Sequence, residues 1–192
     1  MRPPRGTGAL PDWANRIRRS DRPHAVLLCG LPGSGKTVLA ERLRRALPAV
    51  HLGADAWMLG LFGEHLAREV HDRHVATVHD LLWRTAEQVF ALGHHVVFDD
   101  GFWTRADRAA AVRRAEDAGA VPLLAFLDVP REELERRLAR RVATDARGAY
   151  TITPEMLDVL EARFEPPTAE EGLLLVRADP AGFPVHTDAD PG

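Results

Sequence analysis

The chain has 192 residues, of which 45% are hydrophobic and 28% are charged, a composition typical of a globular domain with a full hydrophobic core. Its formal net charge of -3 argues against a general electrostatic attraction to nucleic acids or anionic membranes. No apolar run approaches the roughly 18 residues of a membrane-spanning helix. Cys29 is the only cysteine, which excludes an intramolecular disulfide, and these features together predict a cytoplasmic protein.

Three parts are expected along the chain. Residues 1–22 are predicted to form an N-terminal extension that is partly disordered, because its first half is rich in proline, glycine and arginine. This extension is expected to contain a short helix with Trp13 and Ile17 on one face. Residues 23–178 are predicted to form the main domain, and the polar residues 179–192 form a C-terminal tail.

The most informative motif is Gly-Leu-Pro-Gly-Ser-Gly-Lys-Thr at residues 30–37, which fits the phosphate-binding P-loop pattern. An apolar run at 25–29 predicts a buried strand before it, and an amphipathic pattern at 37–47 predicts a helix after it. The backbone N–H groups of such a loop bind the phosphates of ATP, and the positive end of the helix adds to this field. The predicted nucleotide-binding residues are Gly30, Pro32, Gly33, Ser34, Gly35, Lys36 and Thr37.

The two residues at the end of the motif have separate predicted roles. Lys36, the only lysine in the chain, supplies a compact positive charge to the β- and γ-phosphates. Thr37 offers a hydroxyl group to Mg²⁺. A GTPase is not expected, because its Asn-Lys-x-Asp motif would need a second lysine.

Apolar strands alternate with helical patterns through the rest of the chain. Strands are predicted at residues 25–30, 49–52, 96–98, 121–127 and 173–177. This alternation predicts an α/β, three-layer P-loop NTPase fold with a parallel sheet of about five strands and helices on both faces. An arginine-rich helix and a glycine-containing loop, residues 136–153, are expected to form a helical lid over the nucleotide.

Two carboxylates follow predicted strands, at the edge where open α/β sheets bind ligands. Asp99 ends the strand at 96–98, which is the usual form of a Walker B site, so it is predicted to bind Mg²⁺ with Thr37. Asp55 follows the strand at 49–52. Its position alone fits either a catalytic carboxylate or an ordinary N-cap of the next helix.

Four arginines are candidate anion-binding residues. Arg105 and Arg108 begin the helix after Asp99, and they either reach an anionic substrate or are solvated. Arg137 and Arg141 share one face of the lid helix, where paired guanidinium groups would suit a transferring phosphoryl group. Pairing with glutamates on the same helix is the alternative for about half of the arginines in this region.

The acceptor pocket is expected between residues 57–79, beginning with Trp57 as a substrate contact, and the aromatic residues 102–103. The helical pattern at 59–92 has Val78, Leu81 and Leu82 among its predicted core positions. His71 and His74 have a spacing that could share a metal ion. No cysteine or carboxylate completes a ligand pattern, however, which favours solvated or core histidines.

Three segments resemble the signature of the predicted kinases within the AAA-type P-loop family: residues 52–58, 96–103 and 164–167. The resemblance extends over residues 25–177. The chain is also similar to the kinase domain of bacteriophage polynucleotide kinase and, more distantly, to chloramphenicol phosphotransferase. The resemblance to these proteins implies a kinase that uses ATP and Mg²⁺ to phosphorylate a hydroxyl group.

The resemblance also implies roles for individual residues. Asp55 corresponds to the base that orients the acceptor hydroxyl, and Arg141, with Arg137 beside it, corresponds to the lid arginine. The sequence departs from the polynucleotide kinases in one respect, because residues 57–59, Trp-Met-Leu, contain no cation that could hold a substrate phosphate. This difference favours a less charged acceptor.

The sequence therefore predicts an ATP- and Mg²⁺-dependent kinase that transfers the γ-phosphate to a hydroxyl group of a small molecule. A polynucleotide 5′-hydroxyl kinase is the first alternative, supported by the many arginines and opposed by the acidic net charge. An ATP-binding regulatory switch without a small-molecule acceptor is the second. The oligomeric state and the identity of the acceptor stay open.

Overall fold

A computed structural model describes residues 11–63, 66–143, 150–171, 173 and 175–178. The first ten residues, most of the predicted lid loop and the C-terminal tail lie outside the described residues. The strands are β1 His24–Cys29, β2 Ala49–Leu52, β3 His95–Gly101, β4 Val121–Leu127 and β5 Leu175–Ala178. They form a five-stranded sheet in the order β2-β3-β1-β4-β5. All neighbouring strands are parallel, which confirms the predicted fold class.

Strand β1 lies at the centre of the sheet, between β3 and β4. Its register pairs Val26 with Val97 on one side and with Leu123 on the other. Every residue of β1 after His24 is buried, because helices cover both faces of a parallel sheet. This burial explains why the β1 sequence is a continuous apolar run.

Helices fill the connections between the strands. In the part of the chain that the structure describes they are α1 Asp12–Arg18, α2 Lys36–Ala46, α3 Ala54–Phe62, α4 Arg68–Ala91, α5 Arg105–Asp117, α6 Arg131–Ala143 and α7 Pro154–Glu161. A short 3₁₀ helix, Ala169–Glu171, precedes β5. None of the described helices is long and apolar enough to cross a membrane.

The predicted helical pattern between β2 and β3 is divided into two helices. The first helix, α3, ends at Phe62, and Gly63 follows it. The φ of Gly63 is 76°, a left-handed backbone conformation that glycine adopts more easily than other residues. In α4, Val78 and Leu82 are buried as predicted, but Leu81 is 44% exposed. The buried face also includes Trp83, Ala86 and Phe90, because α4 turns a slightly different side towards the sheet from the one that the apolar spacing indicated.

Two hydrophobic cores lie on opposite faces of the sheet. The first contains α1 and α2, with Trp13, Ile17, Leu39 and Leu43. The second contains α3, α4 and α5, with Met58, Leu82, Phe90 and Ala111. Alternate residues of β1 enter the two cores, since successive side chains of a strand point to opposite faces.

Helix α1 belongs to the first core and is not a detached extension. Trp13, Ala14 and Ile17 are all buried and pack with residues of α2 and the sheet. The helix thus lies within the packed domain, although its residues precede the predicted domain boundary at residue 23.

We expect Ile17→Ala to lower the free energy of unfolding by about 2–5 kcal/mol, because it would remove a fully buried side chain from the core. Urea denaturation of the full chain measures this effect. The exposed Arg18→Ala is the matched control, with an expected change of within about 0.5 kcal/mol. Equal stability of the two variants would show that α1 does not contribute to the core.

A pair of histidines joins β1 and β3 at the amino edge of the sheet. His95 is buried, and its Nδ1 accepts the backbone N–H of His24 at 3.1 Å. The two rings pack edge to face with centroids 5.5 Å apart. Burial lowers the pKa of both histidines, so the folded chain favours a neutral His95.

Stability should therefore fall as the pH decreases below the ordinary histidine pKa of 6.5, because the unfolded chain then binds more protons than the folded one. This contribution is complete above that pH and is lost as the pH falls towards the lower folded-state pKa. Urea denaturation from about pH 8 to about pH 5 measures the loss. His95→Asn, whose Oδ1 can accept the same N–H, should lose less stability over this range than the native chain. The control is His94→Asn at an exposed position, which should show the pH dependence of the native chain. If the native chain and His95→Asn had the same pH dependence, the assignment of a neutral, buried His95 would be contradicted.

Candidate active site

The loop between β1 and α2 requires glycine at two positions. Gly30 has a φ of 146°, and a Cβ there would lie 2.9 Å from both the Leu127 carbonyl oxygen and Ser34 Oγ. Gly33 has a φ of 84°, and a Cβ there would lie 3.2 Å from Cγ of Leu138. Any larger residue would strain the backbone and push it away from β4 and α6.

The N-terminus of α2 is open to an anion. The residue before the helix, Gly35, has a left-handed φ of 103°, and no side-chain hydrogen bond caps the helix in the described structure. Its first turn contains no acidic residue. The N–H groups of this turn can therefore bind phosphate oxygens, and the helix dipole favours the negative charge.

Lys36 is held above the loop by backbone carbonyls. Its Nζ donates to the carbonyl oxygen of Gly30 at 2.9 Å and to that of Leu31 at 3.0 Å. Burial lowers the pKa of Lys36, although the carboxylates of Asp99 and Asp55 act in the opposite direction. The ammonium group thus lies between the phosphate loop and the two carboxylates that the sequence singled out.

Asp99 and Thr37 meet across β3 and α2, and the Thr37 hydroxyl hydrogen-bonds to the Asp99 carboxylate. Burial alone would raise the pKa of Asp99, but the His51 ring, the Lys36 charge and the Thr37 hydrogen bond outweigh it, so the pKa is lowered. His51 Nε2 lies 3.6 Å from Asp99 Oδ2. An ionised carboxylate beside a hydroxyl fits Mg²⁺, which binds a few protein oxygens together with phosphate and water.

Asp55 does not cap α3. The N-cap residue is Gly53, and Asp100 in β3 supplies the capping oxygen, since its Oδ1 accepts the Ala54 N–H at 3.0 Å. Asp55 lies one residue further on, in the first turn of α3. The carboxylate of Asp55 is therefore not needed for the cap that the sequence left as an alternative.

The electrostatic surroundings of Asp55 suit a proton acceptor. Its side chain keeps exposed surface at the start of α3. Partial burial there raises its pKa, the Lys36 charge opposes this rise, and the charges of Asp100 and Asp99 add to it. A carboxylate with a raised pKa is a better base than an ordinary aspartate.

His79, on α4, is the last residue of the predicted acceptor-pocket region, but the sequence assigned it no individual role. Its Nε2 lies 3.6 Å from Asp100 Oδ1, and its side chain is 44% exposed. Contact with Asp100 raises the pKa of His79 against the effect of burial, and the charges of Asp107 and Asp55 add to the rise. No local motif could have indicated this pair, because α4 brings His79 to β3 only in the folded chain.

Arg137 contacts the phosphate loop directly. Its Nη1 donates to the carbonyl oxygens of Ser34 at 3.0 Å and Gly33 at 3.2 Å. Its Nε donates to Glu133 at 2.7 Å, and Arg136 also pairs with Glu133. The expectation that some of these arginines pair with glutamates of α6 is thus confirmed. Arg137 makes such an ion pair with Glu133 and also donates to the phosphate loop.

Arg141 faces the same site from one turn further along α6. The positive charge of Arg141 acts to lower the pKa of both Lys36 and Asp55. Arg141 is therefore within electrostatic reach of both side chains. Its Nη2 donates to the carbonyl oxygen of Tyr150 at 2.7 Å. Arg141 therefore connects α6 to the chain segment that precedes α7.

The base of the predicted lid is packed onto the phosphate loop. Leu134 and Leu138 of α6 are buried with Leu157 of α7, and Leu31 of the loop packs against them. Arg131 pairs with Glu135 and with two acidic residues of α7, Asp158 and Glu161. Residues 144–149, the middle of the predicted lid, lie outside the described part of the chain.

Arg108 is a structural residue, and its predicted contact with an anionic substrate is wrong. Its side chain is fully buried, and its guanidinium group pairs with both carboxylate oxygens of Glu171 at 2.7 Å. Nη1 donates to the carbonyl oxygens of Phe102, Trp103 and Glu165. The guanidinium thus has no face left for a ligand.

These contacts fix the turn after β3. Phe102 has a φ of 45°, which is strained for a residue with a side chain. Trp103, held by Arg108 at its carbonyl, donates its indole N–H to the Gly30 carbonyl oxygen at 3.3 Å. The same carbonyl accepts Lys36 Nζ, so Arg108 supports the phosphate loop through the turn.

The remaining predicted substrate residues lie at the surface. Trp57 is 38% exposed on α3, two residues after Asp55. Arg105 is exposed, and its backbone N–H donates to Glu165 at 2.6 Å. Residues two apart on a helix do not face each other, so Trp57 and Asp55 point to different sides of α3, and Arg105 lies near the segment that follows α7.

The two histidines with metal-like spacing have other contacts. His71 Nδ1 lies 3.4 Å from Asp72, and His74 stacks on Phe62 with ring centroids 4.1 Å apart. Among the residues that the structure describes, no group of three or more His, Cys, Asp or Glu side chains could hold a metal ion.

A family profile described as an AAA domain matches residues 26–167, which is more than half of the chain. Among proteins with curated functions, none matches the sequence. The matched segment begins in β1 and ends after α7, so it contains the phosphate loop, both predicted strand-end carboxylates and the arginines of α6.

Solved structures share the fold. A presumed kinase from Chloroflexus aurantiacus J-10-fl is 24% identical with a TM-score of 0.67, and the match covers 83% of this chain and 86% of that chain. The Mycobacterium tuberculosis APS kinase CysC, in complex with AMPPNP and APS, is 24% identical with a TM-score of 0.56, over 84% of this chain and 90% of that chain. A chain of the Pnkp1/Rnl/Hen1 RNA repair complex is 19% identical with a TM-score of 0.56, over 78% and 49%. At these identities the similarity establishes the fold alone.

We expect Arg108→Met to lower the free energy of unfolding by about 3–5 kcal/mol, because the carboxylate of Glu171 would be left buried without its partner. Urea denaturation measures the loss. The control is Arg105→Met, an exposed arginine on the same helix, with an expected change of within about 0.5 kcal/mol. The double variant Arg108→Met with Glu171→Met should regain much of the stability. An Arg108→Met variant as stable as the native chain would contradict this assignment.

Proposed function

Because the chain belongs to the AAA domain family of P-loop kinases, we propose that it transfers the γ-phosphate of ATP to a hydroxyl group of a small molecule. The observation that carries this proposal is the position of Lys36 between the phosphate loop and two carboxylates. Its Nζ contacts the loop carbonyls, and its charge acts on both Asp99 and Asp55. One carboxylate is thus available beside the phosphates and the other beside an acceptor.

The phosphate loop binds the β- and γ-phosphates in this proposal. The open N–H groups of the α2 N-terminus bind phosphate oxygens, and Lys36 exchanges its loop carbonyls for them. Thr37 and Asp99 would hold Mg²⁺. When bound, that ion neutralises the charge of the phosphate oxygens.

Asp55 acts on the acceptor hydroxyl. As the acceptor oxygen forms a bond to the γ-phosphorus, the bond from that phosphorus to the bridging oxygen of ADP breaks, and Asp55 takes the hydroxyl proton. Lys36 balances the charge of the carboxylate before the transfer. The raised pKa of Asp55, caused by partial burial, predicts that the acidic limb of the activity profile lies above the ordinary range for aspartate.

The arginines of α6 stabilise the transferring phosphoryl group, whose charge is spread over three equatorial oxygens. Arg137 already lies on the loop, since Glu133 and the carbonyls of Gly33 and Ser34 orient its guanidinium group. Arg141, one turn further along α6, lies close enough for its charge to lower the pKa of Asp55. Two guanidinium groups on one helical face can contact different oxygens of the same group.

A polynucleotide 5′-hydroxyl kinase is the alternative within the same chemistry, and the shared fold with a chain of an RNA repair complex supports testing it. The acidic net charge of -3 and the lack of a cation at residues 57–59 argue against it. End-labelling of a 5′-hydroxyl oligonucleotide at several salt concentrations separates the two acceptors, because binding through phosphates weakens steeply with salt.

A regulatory ATP-binding switch is the alternative from another class. Such a protein would bind Mg·ATP and a partner but would show no stimulation of ADP release by any acceptor. ADP release measured with and without a panel of hydroxyl compounds and the oligonucleotide therefore distinguishes all three functions.

We expect Lys36→Ala to reduce acceptor-stimulated ADP release by about 10²–10³-fold, because the site would lose its compact charge at the β- and γ-phosphates. The charge-matched control is Arg45→Ala on the exposed face of the same helix, which should stay close to the native rate. Near-native turnover in Lys36→Ala would contradict the assignment of the phosphate loop.

We expect Asp55→Asn to reduce turnover by about 10²–10⁴-fold, because an amide cannot accept the hydroxyl proton. The affinity for Mg·ATP, measured by calorimetry, should change little, and the stability should be retained because Asp100 supplies the cap of α3. The control is Asp117→Asn at the exposed end of α5. If Asp55→Asn turns over at the native rate, Asp55 is not the base.

A further inference from the structure

His79 lies on α4, next to Asp100 of β3. Its Nε2 is 3.6 Å from Asp100 Oδ1, and the same oxygen accepts the N–H of Ala54, the residue before Asp55. The charge of Asp55 contributes to the raised pKa of His79, after the larger effect of Asp100. Asp100 thus links the imidazole to the first turn of α3, which carries the carboxylate proposed to act on the acceptor hydroxyl.

One ring nitrogen of His79 is available to a ligand. Nε2 faces Asp100, and within the described part of the chain Nδ1 makes no hydrogen bond. The side chain is 44% exposed, so this nitrogen is not enclosed by the core. Because a protonated imidazole donates from both nitrogens, His79 can hold Asp100 with one nitrogen and a substrate oxygen with the other.

The charge balance gives this donor a function. An acceptor with a negative group would meet the carboxylates of Asp55, Asp99 and Asp100 at the same edge of the sheet. Helix α3 offers no compensating cation after Asp55, because Ala56, Trp57, Met58 and Leu59 follow it. Helix α4 carries an imidazole there instead, 3.6 Å from Asp100, so the expectation of a less charged acceptor, which rested on α3 alone, does not hold for the whole site.

We propose that His79 is a substrate-binding residue that selects acceptors carrying an oxyanion, a carboxylate or a phosphate, near the hydroxyl that is phosphorylated. This inference rests on the proposed kinase function and names the class of its acceptor. The imidazolium makes a charge-assisted hydrogen bond to the oxyanion, which holds the neighbouring hydroxyl next to Asp55.

The test uses matched sets of compounds that differ only in charge. Glycerol, glycerate and glycerol 3-phosphate form one set, and glucose, gluconate and glucose 6-phosphate form another. ADP release with Mg·ATP is measured for each with the full native chain and with His79→Gln. We expect the carboxylate or the phosphate compound of each set to stimulate ADP release more than the neutral compound does. Comparing the carboxylate with the phosphate compound shows which oxyanion is preferred.

His79→Gln should raise KM for the charged acceptor about 10- to 100-fold, which is the usual effect of losing a hydrogen bond to a charged group. The kcat should stay within a few fold, and KM for neutral members should not change. His79→Arg should restore much of the affinity. The matched control is His74→Gln, on the same helix, whose ring stacks on Phe62; it should behave as the native chain.

A second readout does not need turnover. The imidazole resonance of His79, assigned by its loss in His79→Gln, is followed by NMR while the AMPPNP-loaded protein is titrated with each compound. A shift with charged members only supports the inference even if no compound is phosphorylated, in which case the kinase proposal alone fails. Preference for neutral acceptors, an unchanged KM in His79→Gln, or a His79 resonance that no charged member shifts would overturn it.

Discussion

The candidate site depends on the parallel pairing of β1 with β3. Cys29 at the end of β1 is in register with Gly101 at the end of β3, and the Gly30 N–H continues the ladder to the Gly101 carbonyl oxygen at 3.1 Å. This pairing places the phosphate loop beside Asp99, so that Thr37 and Lys36 contact or neutralise the same carboxylate. A parallel sheet brings the carboxyl ends of its strands to one edge, and the chemistry of this chain is concentrated there.

Charge compensation organises that edge. Three carboxylates, Asp55, Asp99 and Asp100, lie near one another, and burial alone would make their ionisation costly. Lys36 from α2 and His79 from α4 reduce this cost from two sides. The three carboxylates thus have different neighbours, because the charge of Lys36 acts on Asp99 and Asp55 whereas His79 lies beside Asp100.

The arginines show how similar side chains acquire different functions. Arg108 and Arg137 both lie on helices that follow strands of the sheet. The sequence suggested that each of these arginines contacts an anion. Arg108 points into the interior, where Glu171 and three carbonyl oxygens bind it and stabilise the strained turn at Phe102. Arg137 points along α6 onto the phosphate loop, where Glu133 fixes it. Their difference arises from packing, because the direction of each side chain depends on which face its helix buries.

The sequence by itself determined the parallel α/β fold, the phosphate loop and the carboxylate near the carboxyl end of β3, because local patterns govern these features: a buried apolar strand, glycines with positive φ and a helix N-terminus. It also indicated Asp55 as either base or cap. Only the tertiary structure decided that Asp100 caps α3, that Arg108 is buried and that His79 lies beside Asp100. Each of these depends on contacts between residues far apart in the chain, which spacing and composition do not encode. The buried face of α4 was shifted for the same reason, since Trp83 packs on Phe98 of β3 and sets the rotation of the helix.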